Sequence, residues 1–215
     1  MDIGVNVGYY TLPFANRLQL LGGTGAVHAF EPVEANFRAF ASGVDANRLS
    51  ERVRLHRYGL GERFEEVQIS MTEDGETGNA VVVSPELAKE REIAHFEKIQ
   101  ILCLDNLVEE LNIQRFDLIK IDIEGGEISF LRGARNFITR FLPVIYGEFN
   151  SYFIDVNGQK TQEAIDFLAQ LGYRCHRQLS RSHHFAPIGV YQEGIGDLLF
   201  LPPTIPAADL SFWAD

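Results

Sequence analysis

Two stretches hold residues whose types and spacing suit chemistry. Asp2-Ile-Gly-Val-Asn-Val-Gly8 places an acid, two glycines and an asparagine within seven residues. Glycines let a backbone turn tightly and approach a ligand where a Cβ would clash, and asparagine tolerates left-handed angles. The second stretch, Asp117 to Glu127, sets Asp117, Asp122, Glu124 and Glu127 around one lysine, Lys120. Between them stands Glu31, 23 residues after Gly8. That is close to the spacing at which an acid beyond a glycine turn reaches a ribose diol, accepting a hydrogen bond from each hydroxyl. The structural alternative for Glu31 is an acid at a helix N-terminus, favoured by the helix dipole. His183-His184 offers a base that titrates near neutral pH, or an exposed loop pair.

Alternating strands and helices must position these groups. Tyr10, Phe14, Leu18 and Leu21 recur at helical spacing after the glycine turn, and Gly22-Gly23-Thr24-Gly25 ends that helix. Ala26 to Phe30 reads as a buried strand ending at Glu31-Pro32. Val33, Phe37, Phe40 and Val44 then form the stripe of a second helix. Val53 to Tyr58 is a third strand, closed by Gly59-Leu-Gly61. Strand–helix–strand–helix–strand implies parallel strands with right-handed crossovers. Residues 62–102 read as a hairpin or flap insertion: two strands, Val67 to Met71 and Ala80 to Val83, flank an acidic turn, and Glu86 to Lys98 is a charged helix or flap. A helix opens at Leu104 with Asp105 at its N-terminus. Asp117 to Asp122 is the fourth strand, followed by one helix from Gly125 carrying Ile128, Leu131, Ala134 and Ile138. Pro143 to Gly147 is the fifth strand. A helix with Ile165, Leu168 and Leu171 ends at Gly172, and Tyr173 to Gln178 and Asp197 to Leu201 are the last strands, joined by a polar loop. Residues 1–203 read as one domain and 204–215 as a tail.

The totals narrow the function. Lys+Arg 19 against Asp+Glu 30 gives a net charge of −11, which repels a phosphate backbone and argues against nucleic-acid binding. No apolar run is long enough to span a membrane and no signal segment opens the chain, so a cytoplasmic protein is expected. Cys103 and Cys175 have neither metal-ligand nor disulfide spacing and are expected as buried thiols. His28 and His56 fall within strands and are expected to be structural. In an open parallel sheet the glycine turn, Glu31 and Asp122 all fall at the carboxyl edge, where ligands bind. A nicotinamide dinucleotide wants G-x-G-x-x-G, which Gly4-x-Asn6-x-Gly8 lacks, and Asp2 would repel its pyrophosphate. A cationic sulfonium nucleoside, S-adenosylmethionine, suits an acidic loop better.

Asp2-Ile-Gly-Val-Asn-Val-Gly-Tyr-Tyr-Thr11, Phe30-Glu-Pro32, Leu104-Asp105, Asp117 to Gly125 with Glu127, and Leu131-Arg-Gly-Ala134 together resemble the motif series of the FkbM family of S-adenosylmethionine-dependent methyltransferases. The resemblance runs from residue 2 to about residue 201. It implies a class I methyltransferase, Rossmann-like α/β fold: a mostly parallel seven-stranded sheet with an antiparallel final strand, here Asp197 to Leu201. It implies that Asp2, Gly4, Asn6 and Gly8 hold the methionine end and ribose, that Glu31 takes the ribose diol, that Tyr58 and Gly59 border the adenine, and that Asp122 faces the sulfonium and the acceptor. Gly59 stands where an alanine is expected, and Tyr58 where a smaller polar residue is. Only Met1 precedes Asp2, so strand one is either truncated or continues upstream.

The implied reaction is O-methylation of a small-molecule, sugar or glycan-like acceptor. A hydroxyl acceptor gains from a base or a metal that removes its proton. Asp122, Glu148 and His183 are the candidate catalytic residues. Asp122 with Glu148 or Asn150 would make an oxygen-ligand Mg²⁺ site; the alternative is that Glu124 and Glu127 cap a helix, with Lys120 as counter-charge. Competing readings are a nicotinamide-dependent oxidoreductase and a degenerate methyltransferase fold that only binds a partner.

Overall fold

The computed structural model describes residues 1–70, 81–82, 96–179, 185–191 and 197–206 of the 215-residue chain. The chain divides into two compact units, Met1–Leu102 and Cys103–Asp215.

In the first unit three short parallel strands lie side by side: β1 (Asp2–Ile3), β2 (Val27–Phe30) and β3 (Val53–His56). Ile3 pairs with Phe30, and Phe30 with His56. Helices α1 (Thr11–Leu20) and α2 (Glu34–Ala46) make the two crossovers. Val5, Ala15, Val27, Ala29, Phe40, Val44, Leu49 and Val53 form one buried cluster, with Leu12, Leu18 and Leu55 packed on it. The stripe expected of α2 packs this way, with Phe40 and Val44 fully buried.

The stripe expected of α1 does not. Tyr10, Phe14 and Leu21 are 49%, 47% and 64% exposed. The Thr11 hydroxyl donates to Asp2 Oδ2 at 2.6 Å in buried surroundings, which turns Thr11 toward β1. Ala15 and Leu18 lie four and seven residues on and share that face. One buried hydrogen bond thus sets the helix's rotation.

A second sheet takes up the rest of this unit, in the order β4 (Gly59–Gly61), β7 (Phe96–Cys103), β5 (Glu65–Ser70), β6 (Val81–Val82). β5 runs antiparallel to both β7 and β6. The expected insertion is therefore a sheet whose strand β7 begins at Phe96, inside the stretch read as a charged helix or flap; residues 86–95 lie outside the described residues. Gly59-Leu-Gly61, expected to close strand three, belongs to this sheet instead. Val33, Ile69 and Ile99 form its buried core.

The second unit carries the strand order β11 (Phe185–Pro187), β10 (Arg174–Gln178), β12 (Asp197–Leu201), β9 (Val144–Glu148), β8 (Leu118–Ile121). β8 and β9 are parallel, and β12 enters antiparallel between β9 and β10. β11 is an additional edge strand inside the stretch read as a polar loop. Its short helices are α3 (Leu104–Leu107), α4 (Glu127–Gly133), α5 (Arg135–Phe141), α6 (Ser151–Val156) and α7 (Thr161–Gln170).

The single helix expected after Gly125 is two, broken at Ala134. The Asp105 carboxylate accepts from the backbone amides of Asn136 and Phe137 at 2.9 and 2.8 Å, capping α5 rather than its own helix. Ile128, Leu131, Ala134 and Ile138 are nonetheless all buried. Cys175 is a buried thiol as expected, whereas Cys103 is half-buried with its Sγ donating to the Gly133 carbonyl. No described helix is long and apolar enough to cross a membrane.

Candidate active site

In the first unit the turn after β1 has three left-handed residues, Gly4, Asn6 and Gly8, at φ 79°, 53° and 93°. The amides of Gly4 and Val5 both donate to the Phe30 carbonyl, tying the turn to the end of β2. A Cβ on Gly8 would lie 2.5 Å from the Phe40 ring, so this position requires glycine for space as well as for its backbone angle.

Glu31, one residue beyond β2, is 5% exposed. Its Oε2 accepts from the Asn6 amide at 2.8 Å, and its Oε1 accepts from the Val33 amide at 3.0 Å and Asn36 Nδ2 at 3.4 Å. Burial pushes its pKa up to about 6; the three donors pull the other way, and Glu97 adds to the rise. Each carboxylate oxygen has two lone pairs, so Oε2, which accepts one bond, retains acceptor capacity beyond it. Asp2, 4% exposed, is the partner of Thr11 and so helps fix α1 against the turn.

Tyr58 lies two residues beyond β3, and its hydroxyl is 3.4 Å from His56 Nδ1. Gly59, in β4, packs so closely on Ile101 that a Cβ would come within 2.6 Å of that side chain.

In the second unit the turn after β8 gathers carboxylates. Asp122 Oδ2 is 3.2 Å from Lys120 Nζ. Glu124 takes a left-handed backbone at φ 49°, an uncommon conformation for a residue with a side chain. Gly125 follows at φ 95°, and a Cβ there would meet the Phe153 carbonyl at 2.6 Å.

Glu127 is 1% exposed. Its Oε1 accepts from the amides of Ile123 and Gly125, both at 3.2 Å, while its Oε2 is buried without a partner. Glu127 therefore fastens the turn that carries Asp122 and Glu124. Burial, then Asp122, Glu148 and Glu127, raise the Glu124 pKa to about 7. Burial is also the main cause raising Glu127 to about 7, with Asp122 adding to it against the amides it accepts from. Glu148, ending β9, is raised by burial and by Asp122 and Asp197, with Lys120 opposing. Asp197 pairs across the ladder with Glu148 and accepts from the Tyr146 hydroxyl.

Asp122 and Glu148 are thus brought into one electrostatic group, together with Glu124, for which the sequence also offers a helix cap. Asn150 is used elsewhere, since its side chain accepts from the Tyr152 amide and caps α6. Among the described residues no group of three His, Cys, Asp or Glu is placed to hold a metal ion, and the Mg²⁺ option raised from the sequence gains no support from them. His183 and His184 lie outside the described residues.

The ordering of these features along the chain is that of a known family. The model of the methyltransferase FkbM domain matches residues 2–175. The chain belongs to the FkbM methyltransferase family.

A crystal structure of an FkbM methyltransferase from Methylobacillus flagellatus KT superposes with a TM-score of 0.54 at 20% identity, covering 93% of this chain and 42% of that one. The shared fold is the Rossmann-like class I methyltransferase α/β fold, mainly parallel with an antiparallel C-terminal part. Methyltransferase 1 of Beauveria bassiana is 26% identical over 148 residues, 62% of this chain and 57% of that protein. The AMB antimetabolite synthetase AmbE of Pseudomonas aeruginosa is 26% identical over 162 residues, 62% of this chain and 7% of that protein. The chain thus spans little more than half of Methyltransferase 1 and a small part of AmbE.

Proposed function

We propose that the protein is an S-adenosylmethionine-dependent O-methyltransferase acting on a hydroxyl of a small-molecule, sugar or glycan-like acceptor. The observation that carries this reading is the buried Glu31 carboxylate, joined to the left-handed Asn6 turn at the carboxyl ends of β1 and β2. The free lone pair of its Oε2 suits a ribose hydroxyl, and the absence of G-x-G-x-x-G makes a pyrophosphate a poor fit. The acidic chain suits a cationic cofactor, which when bound supplies an electrophilic methyl group on sulfur. Gly4, Asn6 and Gly8 would lie against the methionine end, and Glu31 would hold the ribose. On the second unit Asp122 and Glu148 would orient the acceptor hydroxyl and take its proton, as general bases do. The net charge of −11 argues against a nucleic-acid partner.

Calorimetric titration with S-adenosylmethionine, S-adenosylhomocysteine and NAD tests this. Binding of the two sulfur nucleosides and not of NAD is expected. NAD binding without S-adenosylhomocysteine binding would overturn it in favour of an oxidoreductase, and binding of none in favour of a fold without activity.

A further inference from the structure

The apolar stripe of α1 has no part in the proposed site, and the fold leaves it on the surface. Tyr10, Phe14, Arg17 and Leu21 fall within about 60° of one another around the helix axis at 3.6 residues per turn. Phe14 and Arg17 are exposed, and Val7, Tyr9, Leu20 and Leu21 around them are more than half exposed. The helix is held by its other flank, through Thr11, Ala15 and Leu18. Large apolar side chains gathered on one exposed face mark an interaction surface, which single scattered ones do not.

Charge narrows what fits there. From Ile3 to Phe30, Arg17 is the sole lysine, arginine, aspartate or glutamate, in a chain of net charge −11. Two such chains repel wherever their acids meet, and this face lets them approach without that repulsion. The order of the four residues selects a second copy as the partner. Place the stripe antiparallel on itself, with a two-fold axis between Phe14 and Arg17. Tyr10 then meets Leu21 of the second copy, Phe14 meets Arg17 of the second copy, and each contact is made twice. A guanidinium against an aromatic ring is a favourable pair. Beyond Leu21 the chain runs Gly22-Gly23-Thr24-Gly25, and nothing lies within 4 Å of a Cβ position at Gly22 or Gly25, which leaves room for the incoming Tyr10.

We propose that α1 is a homodimer contact, in which this stripe packs antiparallel on the same stripe of a second copy. The contact is one helix pair about 16 Å long, flanked by Val7, Tyr9 and Leu20. Interfaces of that extent fall in the small class, below about 1,200 Å², so a dissociation constant in the micromolar range is expected. α1 is also joined to the glycine turn, since the Leu12 amide donates to the Gly8 carbonyl at 3.0 Å. A second copy therefore steadies that turn from outside, whatever the turn binds.

Sedimentation velocity of the whole chain across about 1–200 μM tests this, a range that brackets a micromolar constant. The sedimenting mass should rise from that of the 24.2 kDa monomer toward twice that value. A monomer at every concentration would overturn the proposal and leave the face to a different partner. Phe14→Lys sets a cation against each Arg17 and should abolish the dimer. Phe14→Glu sets an anion there and should dimerise about tenfold more tightly than Phe14→Lys, because two interfacial charge pairs have changed sign. A face that is apolar and nothing more loses as much to either charge, so equal loss would overturn the antiparallel pairing. A dimer that survives both substitutions unchanged lies elsewhere and would overturn it as well. Hydrogen exchange on wild type needs no variant: the amides of Thr11 to Leu20 should exchange more slowly at the high end of the range. Slowing confined to other elements would overturn the proposal.

Discussion

The backbone amide of Asn6 donates to Glu31 Oε2 at 2.8 Å, so the acid at the end of one strand holds the left-handed turn at the end of its neighbour. A residue read from sequence as a ligand contact is also part of what shapes the turn. Removing it should therefore act on both.

Glu31→Gln should weaken S-adenosylhomocysteine binding by about 1–3 kcal/mol at pH 8, the range for hydrogen bonds to a charged group that leave a partner behind. Burial raises the carboxyl to about pH 6 in the free protein, and ribose hydroxyls donate to its ionised form. Affinity in wild type should then fall as pH drops through about 6, while Glu31→Gln loses that dependence. Calorimetry at several pH values between 5 and 8 checks both.

Gly8→Ala should destabilise the protein by about 1–3 kcal/mol, because the new methyl group meets the Phe40 ring and the backbone angle is left-handed. Denaturant titration gives the magnitude. Gly158→Ala, also left-handed but with open space around its Cβ position, should cost less.

Glu124 and Glu127 are raised from the ordinary carboxylate value to about 7 by burial and by their acidic neighbours. The fold disfavours their ionised forms. Their contribution to stability is full below their unfolded values, near 4.5, and is lost as pH rises through about 7. The denaturation midpoint should fall between about pH 4.5 and pH 7 from this source, and Glu124→Gln should fall less over that interval. Glu127 contributes to the Glu124 shift, so the two titrate as a coupled pair and the transition should be broad. An equal loss in both proteins would remove Glu124 as a cause.

Asp105→Ala should cost about 1–2 kcal/mol through loss of the two amide bonds that cap α5, with S-adenosylhomocysteine affinity unchanged. Thermal melting and calorimetry separate these outcomes.

Much of the fold is legible because its elements carry their own periodicity. Phe40 and Val44 mark the buried face of α2, Ile165 and Leu168 that of α7, and Gly172 ends the latter with a left-handed angle. What escapes depends on partners distant in sequence. The rotation of α1 follows from the Thr11–Asp2 bond, and the break at Ala134 coincides with a cap supplied from 31 residues away. α6 is too short to show a period, having one buried residue, Ile154; its sequence signal is Asn150, an N-cap residue type that reads equally as an oxygen ligand.

The candidate site divides the same way. Glu31 and the glycine turn are visible from spacing. The raised pKa of Glu124 is not, because it comes from Glu148 on the next strand as well as from its own turn. His28 and His56, whose facing ring nitrogens are 3.1 Å apart, are hidden as a pair because nothing in a separation of 28 residues reveals that Phe30 pairs with His56.

The antiparallel entry of β12 between β9 and β10 has a consequence for biosynthesis. Every ladder of the three-stranded β1–β3 group can close once residue 56 has left the ribosome. β9 and β10 must wait for Leu201, and until then each exposes an edge bearing unpaired amides and carbonyls. A nascent chain stalled before Asp197 would carry two open edges, one on β9 and one on β10. Such edges are where a chaperone would engage, or where two such chains would join by mistake.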